Sequence, residues 1–502
     1  MLYPDLNKFK ELAGKGNVIP VYQELMADME TPLGIYARLA EEKFSFLLES
    51  VEGGVNIGQY SFIGSNPLLI FKSFGNQVTI DENGSSETFT VEDSPVEEFR
   101  RQMKKFNAVN IPGIPRFGGG AVGYFSYDAV QFFEDIPQEN NDQLGLPELY
   151  FMLTKLLVAF DHARHRILVI ANAYCDGSDI EKIYSDAVDT VSEIVEKLSK
   201  PLPFTPVEPI DNRALAAVDN KQPPSNYSPE EFADIVERCK EYVRAGDIIQ
   251  VVPSQRFEYE TEASPISLYR ALRCINPSPY MFLLNFGDAA LVGSSPEIMV
   301  RVENDNVEVR PIAGTRRRGL SEEEDSAMET ELLADEKERA EHTMLVDLGR
   351  NDIGRVCKFN SVEVPELMIV EKYSHVMHIV SDVEGQLLPG KDAFDVLAAT
   401  FPAGTVSGAP KIRAMEIIEE MEKCKRGPYA GAVCYLGYDG NLDSCITIRT
   451  VVMKNGKAYI QAGAGIVADS IPELEYKETV NKARAMIKAI HLAGNLKLEI
   501  RN

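Results

Sequence analysis

The chain has little positive charge and no paired cysteines. Its 502 residues include 51 Lys and Arg against 77 Asp and Glu, which gives a formal net charge of −26. A nucleic-acid partner is therefore not expected, because neutralising phosphates takes clustered Lys and Arg in excess. The seven cysteines form no CxxC pair, which argues against a disulfide framework and a zinc ribbon. Reduced thiols in the cytoplasm are the simplest account.

Long hydrophobic runs are also missing. No window approaches the roughly 18–20 apolar residues of a membrane helix, and the first residues, MLYPDLNKFKELAGKG, lack the apolar core of a signal peptide. Hydrophobic residues make up 44% and charged residues 25% of the chain, which excludes a disordered protein. We therefore expect a soluble cytoplasmic protein without a membrane partner, of about two to four domains.

One domain boundary is visible as a cluster of prolines. Seven prolines fall between positions 201 and 229, and hydrophobic periodicity is weak there, which predicts an irregular connector at 201–227. Ser228 and Pro229 then fit the N-cap and first position of a helix. We predict a β-rich domain at 1–200 and a second domain at 228–502. Strands and helices alternate without a regular βαβ rhythm, which favours an α+β fold dominated by antiparallel sheet.

Two glycine-rich segments resemble each other. Residues 119–128 (GGAVGYFSYD) and 430–439 (AGAVCYLGYD) match at six of ten positions. Two readings stay open: chance similarity of two short strands, or two β-rich halves with related topology. The first segment overlaps a GxGxxG pattern at 118–123, but the residues after it are strand-like, whereas a dinucleotide fingerprint needs a helix there. We therefore reject a dinucleotide site.

Two pairs of glutamates have helical spacing. Glu338 and Glu341 are three residues apart in one predicted helix, as are Glu475 and Glu478 in a second, so each pair lies on one face. If the two faces met, they would form an all-oxygen site suited to Mg²⁺. The alternative is a solvated acidic face, and in so acidic a chain the spacing alone does not decide.

Three further segments are typical of anion binding. The stretch FPAGTVSGAPKIRAMEII (401–418) predicts a glycine-rich turn entering a helix with Pro410 at its first position. Unpaired N–H groups there would favour a carboxylate, although an ordinary capped helix fits as well. In QAGAGIV (461–467), small residues would let a backbone approach a ligand, and a β-bulge is the alternative. Arg449, in the strand-like CITIRTVVM, needs a partner, for which a carboxylate is a natural choice.

Several motifs together carry a family resemblance. PIAGTRRRG, DLGRND, HIVSDVEG, GTVSGAPK, ITIRT and QAGAGIV occur in that order along the chain. The chain resembles the chorismate-binding enzymes, most closely those that form anthranilate. The resemblance is dense from about 228 to 490 and extends to the N-terminal LLESVEGG and YSFIGSNP. It implies two large, mostly antiparallel β-sheets stacked face to face with helices outside.

The resemblance also implies a reaction. Ammonia would add at C2 of chorismate, the C4 hydroxyl would leave, and pyruvate would be eliminated to give anthranilate, the first step of tryptophan biosynthesis. Mg²⁺ would be held by Glu341 and Glu478, with Glu338 and Glu475 supporting it directly or through water. Glu297 would be the general acid for the departing hydroxyl, so its pKa must be raised by burial or nearby negative charge.

The remaining substrate contacts follow from the same resemblance. Gly314, Thr315 and Gly465 would bind the ring carboxylate. The enolpyruvyl carboxylate would be held by Tyr429, Arg449 and the backbone of Gly463, Ala464 and Gly465. His378 and Thr405 would line the reacting edge of the ring, with His378 assisting proton transfer.

Two positions separate reactions within the family. Water-using members place a lysine base where this chain has Gln250, and a glutamine cannot deprotonate water, which favours ammonia. Aminodeoxychorismate-forming members often carry a lysine where this chain has Ala313. The first alternative is nonetheless an aminodeoxychorismate-forming subunit, and the second is an inactive acidic scaffold protein.

The resemblance implies two further partners. One is L-tryptophan as a feedback inhibitor, in a site formed by Ser50, Asn276, Pro279, Tyr280, Met281 and Cys445; plain domain packing is the alternative. The other is a separate glutamine amidotransferase subunit that delivers ammonia, because no glutaminase motif with a nucleophilic cysteine follows the synthase part.

Overall fold

Two β-sheets organise the part of the chain that the computed structural model describes, namely residues 2–39, 43–51, 58–82, 84–203, 223–373 and 376–495. Most of the predicted connector, 204–222, lies outside these residues. The strands are β1 Leu2–Tyr3, β2 Val18–Met26, β3 Ser45–Glu49, β4 Tyr60–Ser65, β5 Leu69–Phe74, β6 Gln77–Glu82, β7 Ser85–Thr90, β8 Gly120–Phe125, β9 Leu149–Leu153, β10 Leu156–Asp161, β11 Arg166–Tyr174, β12 Gln250–Val251, β13 Ser254–Glu260, β14 Tyr280–Asn285, β15 Ala289–Ser295, β16 Ile298–Glu303, β17 Asn306–Val309, β18 Ile312–Arg317, β19 Glu363–Lys372, β20 Val376–Gln386, β21 Gly408–Ala409, β22 Ala432–Gly437, β23 Leu442–Ile446, β24 Thr450–Lys454 and β25 Lys457–Gly463.

Each sheet takes strands from both sides of the connector. The first runs β1-β2-β11-β10-β4-β3-β14-β15-β24-β25-β13, and the second runs β18-β20-β17-β16-β23-β22-β8-β9-β5-β6-β7 with β19 paired to β20. The ladders between these strands are antiparallel, for example β3 with β14 and β8 with β22. A separate small pair joins β12 to β21.

The helices cover the outer faces of the sheets. They are α1 Leu6–Leu12, α2 Pro32–Leu39, α3 Pro95–Met103, α4 Ile180–Ser199, α5 Pro229–Ala245, α6 Pro265–Ile275, α7 Glu322–Ala334, α8 Glu336–Gly354, α9 Ala393–Thr400, α10 Gly404–Ser407, α11 Lys411–Met421 and α12 Pro472–Asn495. None of these helices is long and apolar enough to cross a membrane.

Three hydrophobic cores explain the layering. The middle core lies between the sheets, where Phe62 and Phe282 of the first sheet meet Tyr124 and Tyr435 of the second. Strands buried on one face alternate their side chains, so the opposite faces form two outer cores against the helices. The predicted α+β fold, with two stacked antiparallel sheets and helices outside, is confirmed.

The strand order repeats in the two halves of the chain. From β3 outward the first sheet runs β4, β10, β11, β2, and from β14 outward it runs β15, β24, β25, β13. In the second sheet, β8 is followed by β9, β5, β6 and β22 by β23, β16, β17. The similar segments noticed in the sequence contain β8 and β22, which pair with each other, Ala432 opposite Phe125. The topology therefore supports two related halves that meet at β3–β14 and β8–β22.

The C-terminal half contains an insertion that the N-terminal half lacks. Between β17 and β22 it adds strands β18 to β21 and helices α7 to α11. In the N-terminal half, the corresponding stretch between β6 and β8 holds only β7 and α3. This insertion carries Gly314, Glu338, Glu341, His378 and Thr405, so much of the candidate site lies on the part of the fold that is not repeated.

Local sequence sets several helix ends as expected. Ser228 caps α5 by accepting a hydrogen bond from the Glu231 N–H, and the Glu231 side chain accepts one from the Ser228 N–H, a capping box with Pro229 at the first position. Gly246 ends this helix in the left-handed conformation, at φ +83°. At 401–418 the prediction was one residue off, because α11 begins at Lys411 and Pro410 precedes it.

Candidate active site

Glu297 lies in the short turn between β15 and β16, enclosed by the insertion. The Thr405 hydroxyl donates a 2.9 Å hydrogen bond to its Oε2. Burial raises the pKa of Glu297, an effect that the Thr405 hydrogen bond and the positive charges of Arg449 and Lys482 only partly offset. A carboxyl group with a raised pKa keeps its proton closer to neutral pH and can serve as a general acid.

His378 faces the turn that contains Gly314. A bulge between Ala313 and Thr315 interrupts the β18–β20 pairing, and Gly314 takes φ +63°, which suits a residue without Cβ. The His378 Nδ1 atom lies 3.0 Å from the Gly314 carbonyl oxygen and 3.1 Å from the Thr315 hydroxyl. Burial lowers the pKa of His378, which favours the neutral ring. With Nδ1–H donating to Gly314, the Nε2 lone pair is left for another partner.

Arg449 lies in a break between strands, not within one strand as the sequence predicted. Strand β23 ends at Ile446 and β24 starts at Thr450, and Arg449 takes a left-handed φ of +50°. Burial lowers its pKa, and the negative charge of Glu297 is the largest effect that opposes this shift. Within the described part of the chain no carboxylate forms a salt bridge with Arg449. A buried guanidinium without a carboxylate partner favours binding of an anion from outside the chain.

Tyr429 and the small residues after β25 face this arginine. A Cβ atom built on Gly463 would come within 2.9 Å of the Tyr429 hydroxyl and 2.8 Å of the Pro253 carbonyl oxygen, so glycine is required there. The Ala464 N–H donates to the same carbonyl oxygen. Burial raises the pKa of Tyr429 to about 12, so its hydroxyl stays a hydrogen-bond donor.

The four glutamates predicted for the metal lie on α8 and α12. Burial raises the pKa of Glu341, and the charges of Glu338 and Glu478 raise it further. Lys482 forms a 2.7 Å salt bridge with Glu478, and Arg316 forms a 3.1 Å salt bridge with Glu338. The pKa of Glu475 is also raised by burial, and the charge of Glu478 adds to the effect.

No three Asp, Glu, His or Cys side chains of the described residues converge as a ready metal cluster. The chemistry of the donor set nevertheless fits a hard divalent cation, because the carboxylates of Glu338 and Glu478 both act on Glu341 and positive charge would relieve their repulsion.

Gln250 lies between the predicted metal ligands and the predicted substrate-binding backbone. Its amide Nε2 donates a 3.3 Å hydrogen bond to Glu341 Oε1. A Cβ atom on Gly465 would come within 2.4 Å of the same nitrogen, so the Gly465 backbone packs directly on Gln250. At Gly314, a Cβ would lie 3.2 Å from Glu338 Oε2. The predicted carboxylate-binding backbones therefore lie beside the predicted metal ligands.

Lys411, the first residue of α11, holds two neighbouring segments together. Its Nζ donates to Asp352 Oδ2 at 2.7 Å and to the Thr400 carbonyl oxygen at 3.0 Å. Both of its interactions are internal, so its role is to fix the turn that carries Thr405.

A second cavity, of about 70 Å³, lies between the sheets where β3 meets β14. Its lining includes Ser50, Pro279, Tyr280, Met281 and Cys445 of the predicted inhibitor site. Among the described residues the buried Ser50 hydroxyl finds no hydrogen-bond partner, which favours a contact with a ligand. Asn276 does not line this cavity and instead donates to the Ser294 hydroxyl at 2.8 Å.

Sequence reasoning missed Lys482. This residue donates to the Gly463 carbonyl oxygen at 3.0 Å and forms a salt bridge with Glu478. It therefore links the end of β25 to one of the predicted metal ligands. The i,i+4 spacing from Glu478 was a visible signal, but the chain has other such pairs, such as Glu193–Lys197, on exposed helix surfaces.

Comparison with known proteins identifies the family. A sequence model described as chorismate binding enzyme matches residues 45–488. The anthranilate synthase component 1 of Acetivibrio thermocellus is 52% identical over 500 residues, covering 99% of this chain and 100% of that protein. The component 1 protein of Aquifex aeolicus is 49% identical over 489 residues, covering 97% of this chain and 98% of that protein.

Solved structures agree with the sequence comparison. The anthranilate synthase component I of Streptococcus pneumoniae superimposes with a TM-score of 0.73 at 39% identity, covering 88% of this chain and 94% of that one. The menaquinone-specific isochorismate synthase of Escherichia coli shares the fold, with a TM-score of 0.68 at 18% identity, covering 96% and 98% of the two chains. A family model spanning most of the chain and relatives that align almost end to end show that this chain belongs to the chorismate-binding enzyme family.

Proposed function

We propose that this chain is the large subunit of an anthranilate synthase, which converts chorismate and ammonia to anthranilate and pyruvate. The observation that carries the proposal is the pairing of a buried acid, Glu297 with its raised pKa, and a buried arginine, Arg449, that has no carboxylate partner among the described residues. The substrate supplies a leaving hydroxyl for the first and a carboxylate for the second. The relatives at about half identity are named as this subunit.

The chain's own residues account for binding. Arg449 and the Tyr429 hydroxyl would hold the enolpyruvyl carboxylate, because the Ala464 N–H already donates to the Pro253 carbonyl oxygen. Gly314, Thr315 and Gly465 would donate to the ring carboxylate. These two anchors fix the ring between Glu297 and Gln250, which is the positioning that an intramolecular-like reaction needs.

Glu297 would transfer its proton to the C4 hydroxyl, which departs as water while the ammonia nitrogen bonds to C2. The Thr405 hydroxyl, by donating to Oε2, leaves Oε1 as the oxygen that can carry the acidic proton. Neutral His378, with Nε2 free, is placed to accept a proton at the ring edge. Loss of the C2 proton, with departure of the enolpyruvyl group as pyruvate, then makes the ring aromatic.

A magnesium ion would be held by Glu341 and Glu478, with Glu338 and Glu475 supporting it. When bound, it would supply positive charge that orients and partly neutralises the ring carboxylate. The raised pKa of Glu341 supports this assignment, because a bound cation would offset both its main cause, burial, and the added charges of Glu338 and Glu478.

Gln250 supports ammonia as the nucleophile. Its amide side chain is committed to Glu341 and cannot act as a base toward water. Ammonia needs no such base, and we propose that a glutamine amidotransferase subunit supplies it, in keeping with the word component in the relatives' names.

The cavity between β3 and β14 is our proposed site for L-tryptophan as a feedback inhibitor. This largely apolar space is lined by the Ser50 hydroxyl, which has no partner in the part of the chain that the structure describes, and by the charged groups Glu49, Arg116, Arg301 and Asp443. An apolar space with a few polar groups suits an aromatic amino acid.

The decisive experiment uses the purified chain with chorismate, Mg²⁺ and excess ammonium at mildly alkaline pH. Anthranilate is followed by its fluorescence, and the chain's lack of tryptophan keeps the protein background small. We expect a signal that requires Mg²⁺, is lost with EDTA, and falls when L-tryptophan is added. Chorismate consumption without fluorescence would instead indicate aminodeoxychorismate, and no consumption would favour an inactive scaffold.

A further inference from the structure

A buried ion pair lies behind the candidate site and has no part in the chemistry above. Arg426 and Glu422 are joined by a 2.6 Å salt bridge, and their side chains are 1% and 4% exposed. Isolated charges are costly to bury, and such a pair is weak evidence for stability, because apolar replacements of similar volume are often as stable. The position of this pair therefore calls for another explanation.

The Arg426 guanidinium reaches two segments of the site. Its Nη1 donates to the Val406 carbonyl oxygen at 2.8 Å, and Val406 directly follows Thr405. Its Nη2 donates to the Val252 carbonyl oxygen at 2.6 Å, two residues after Gln250. The planar guanidinium thus holds the turn that carries Thr405 against the segment that follows Gln250.

The same pair also contacts residues beside the proposed binding site for the enolpyruvyl carboxylate. The Arg426 guanidinium lies 5.6 Å from the centre of the Tyr429 ring, a cation–π contact. Glu422 Oε1 accepts hydrogen bonds from the Ser254 N–H at 2.8 Å and the Ser254 hydroxyl at 2.7 Å. Ser254 lies opposite Gly463 in the β13–β25 pairing.

We propose that the Glu422–Arg426 pair is a positioning element. It fixes the relative positions of the turn that carries Thr405, the strand that contains Gln250, and the contact between Tyr429 and Gly463. It touches neither substrate nor reacting atoms. The proposal rests on the proposed function, since it concerns how that site is assembled.

The test compares two matched double variants. Glu422→Gln with Arg426→Met keeps an acceptor for Ser254 but removes the guanidinium from the site. The control, Asp161→Asn with Arg166→Met, removes an ion pair of 3.1 Å between the buried Asp161 and the part-buried Arg166 at the β10–β11 turn, in the other half of the chain. Both variants are measured for thermal unfolding and for kcat/KM with chorismate and ammonium.

We expect the Glu422/Arg426 variant to fold but to lose kcat/KM by roughly ten- to a hundredfold, because misplacing catalytic groups by about 1 Å can cost that much. The control should stay within about twofold of the unsubstituted chain. Equal kcat/KM in the two folded double variants would overturn the proposal.

A pH profile separates positioning from simple loss of folded protein. The Thr405 hydrogen bond lowers the pKa of Glu297, so displacing the Thr405 turn should raise that pKa. Because the acid works in its protonated form, the alkaline limb of kcat/KM, calculated per free ammonia, should move to higher pH. A partly unfolded variant would lower the whole profile without moving the limb, and that result would contradict the proposal.

If the double variant does not fold, the single variant Arg426→Lys tests the positioning role instead. Lysine keeps the charge beside Glu422 but cannot reach both carbonyl oxygens, so we expect the same loss and the same shift of the limb. Unchanged kcat/KM in this variant would also overturn the proposal. If the unsubstituted chain itself makes no anthranilate, the proposed function fails first and the positioning role falls with it.

Discussion

Glu341 is the residue at which function and stability are expected to oppose each other. Its pKa is raised by burial and by the neighbouring charges of Glu338 and Glu478. A carboxyl group with a raised folded-state pKa contributes stability at low pH and loses that contribution as pH rises from the unfolded value through the folded one. At mildly alkaline pH the charged Glu341 therefore destabilises the metal-free chain.

Glu341→Gln is predicted to abolish Mg²⁺-dependent turnover and to raise the unfolding temperature of the metal-free chain at pH 8. The gain should shrink toward pH 4, where the carboxyl group is protonated in both states. Differential scanning fluorimetry at the two pH values, with turnover assays alongside, checks both parts. Glu473→Gln, at an exposed position of α12, is the control, and full activity in Glu341→Gln would remove this residue from the metal site.

Most of the candidate site residues were chosen from the family resemblance, because residue types and spacing alone left each motif open to an ordinary structural role. Neither source pointed to the groups that hold those residues in place. Glu422 and Arg426 are four residues apart, a spacing shared with exposed pairs such as Glu11–Lys15. What distinguishes them is burial, and burial depends on contacts with segments some 20 to 170 residues away along the chain. No local pattern records such contacts.

At the scale of single elements, the start of α5 tests whether the local sequence determines where a helix begins. Ser228→Ala removes the side-chain acceptor for the Glu231 N–H and should cost about 1 kcal/mol, the usual price of a lost N-cap. Urea unfolding followed by circular dichroism should show a lower midpoint. Ser192→Ala is the matched control, since Ser192 is an exposed residue within α4 whose hydroxyl bonds only to the Val188 carbonyl oxygen. A drop of equal size in both variants would mean that the cap contributes nothing specific.

Elements with local signals were predicted well, and elements that depend on distant partners were not. The capped start of α5 follows from four consecutive residues. Arg449, by contrast, was expected in a continuous strand, because its neighbours are β-branched and apolar. The break at that point comes from long-range pairing: β23 pairs with β16 and β24 with β15, so the chain passes from one sheet to the other.

At the scale of the whole molecule, the two halves are predicted to depend on each other. Each sheet is continuous across the seams β3–β14 and β8–β22, so either half alone would expose unpaired strand edges, which template aggregation. We expect fragments 1–203 and 223–502 to be insoluble when produced separately and to form a soluble, chorismate-consuming complex when produced together. Size-exclusion chromatography checks this, and a soluble, active 223–502 fragment on its own would contradict it.

Because each sheet contains strands from both halves, the order of synthesis determines when its strands can pair. Strand β8 ends at Phe125, but its partner β22 is complete only at Gly437. At about 5–20 residues per second, the ribosome takes roughly tens of seconds to make the intervening chain. The partner of β3 in the first sheet, β14, is complete at Asn285, so the edge at β8 in the second sheet waits longest for its partner. We therefore expect the nascent chain to depend on chaperones that shield β-strand edges until β22 has emerged.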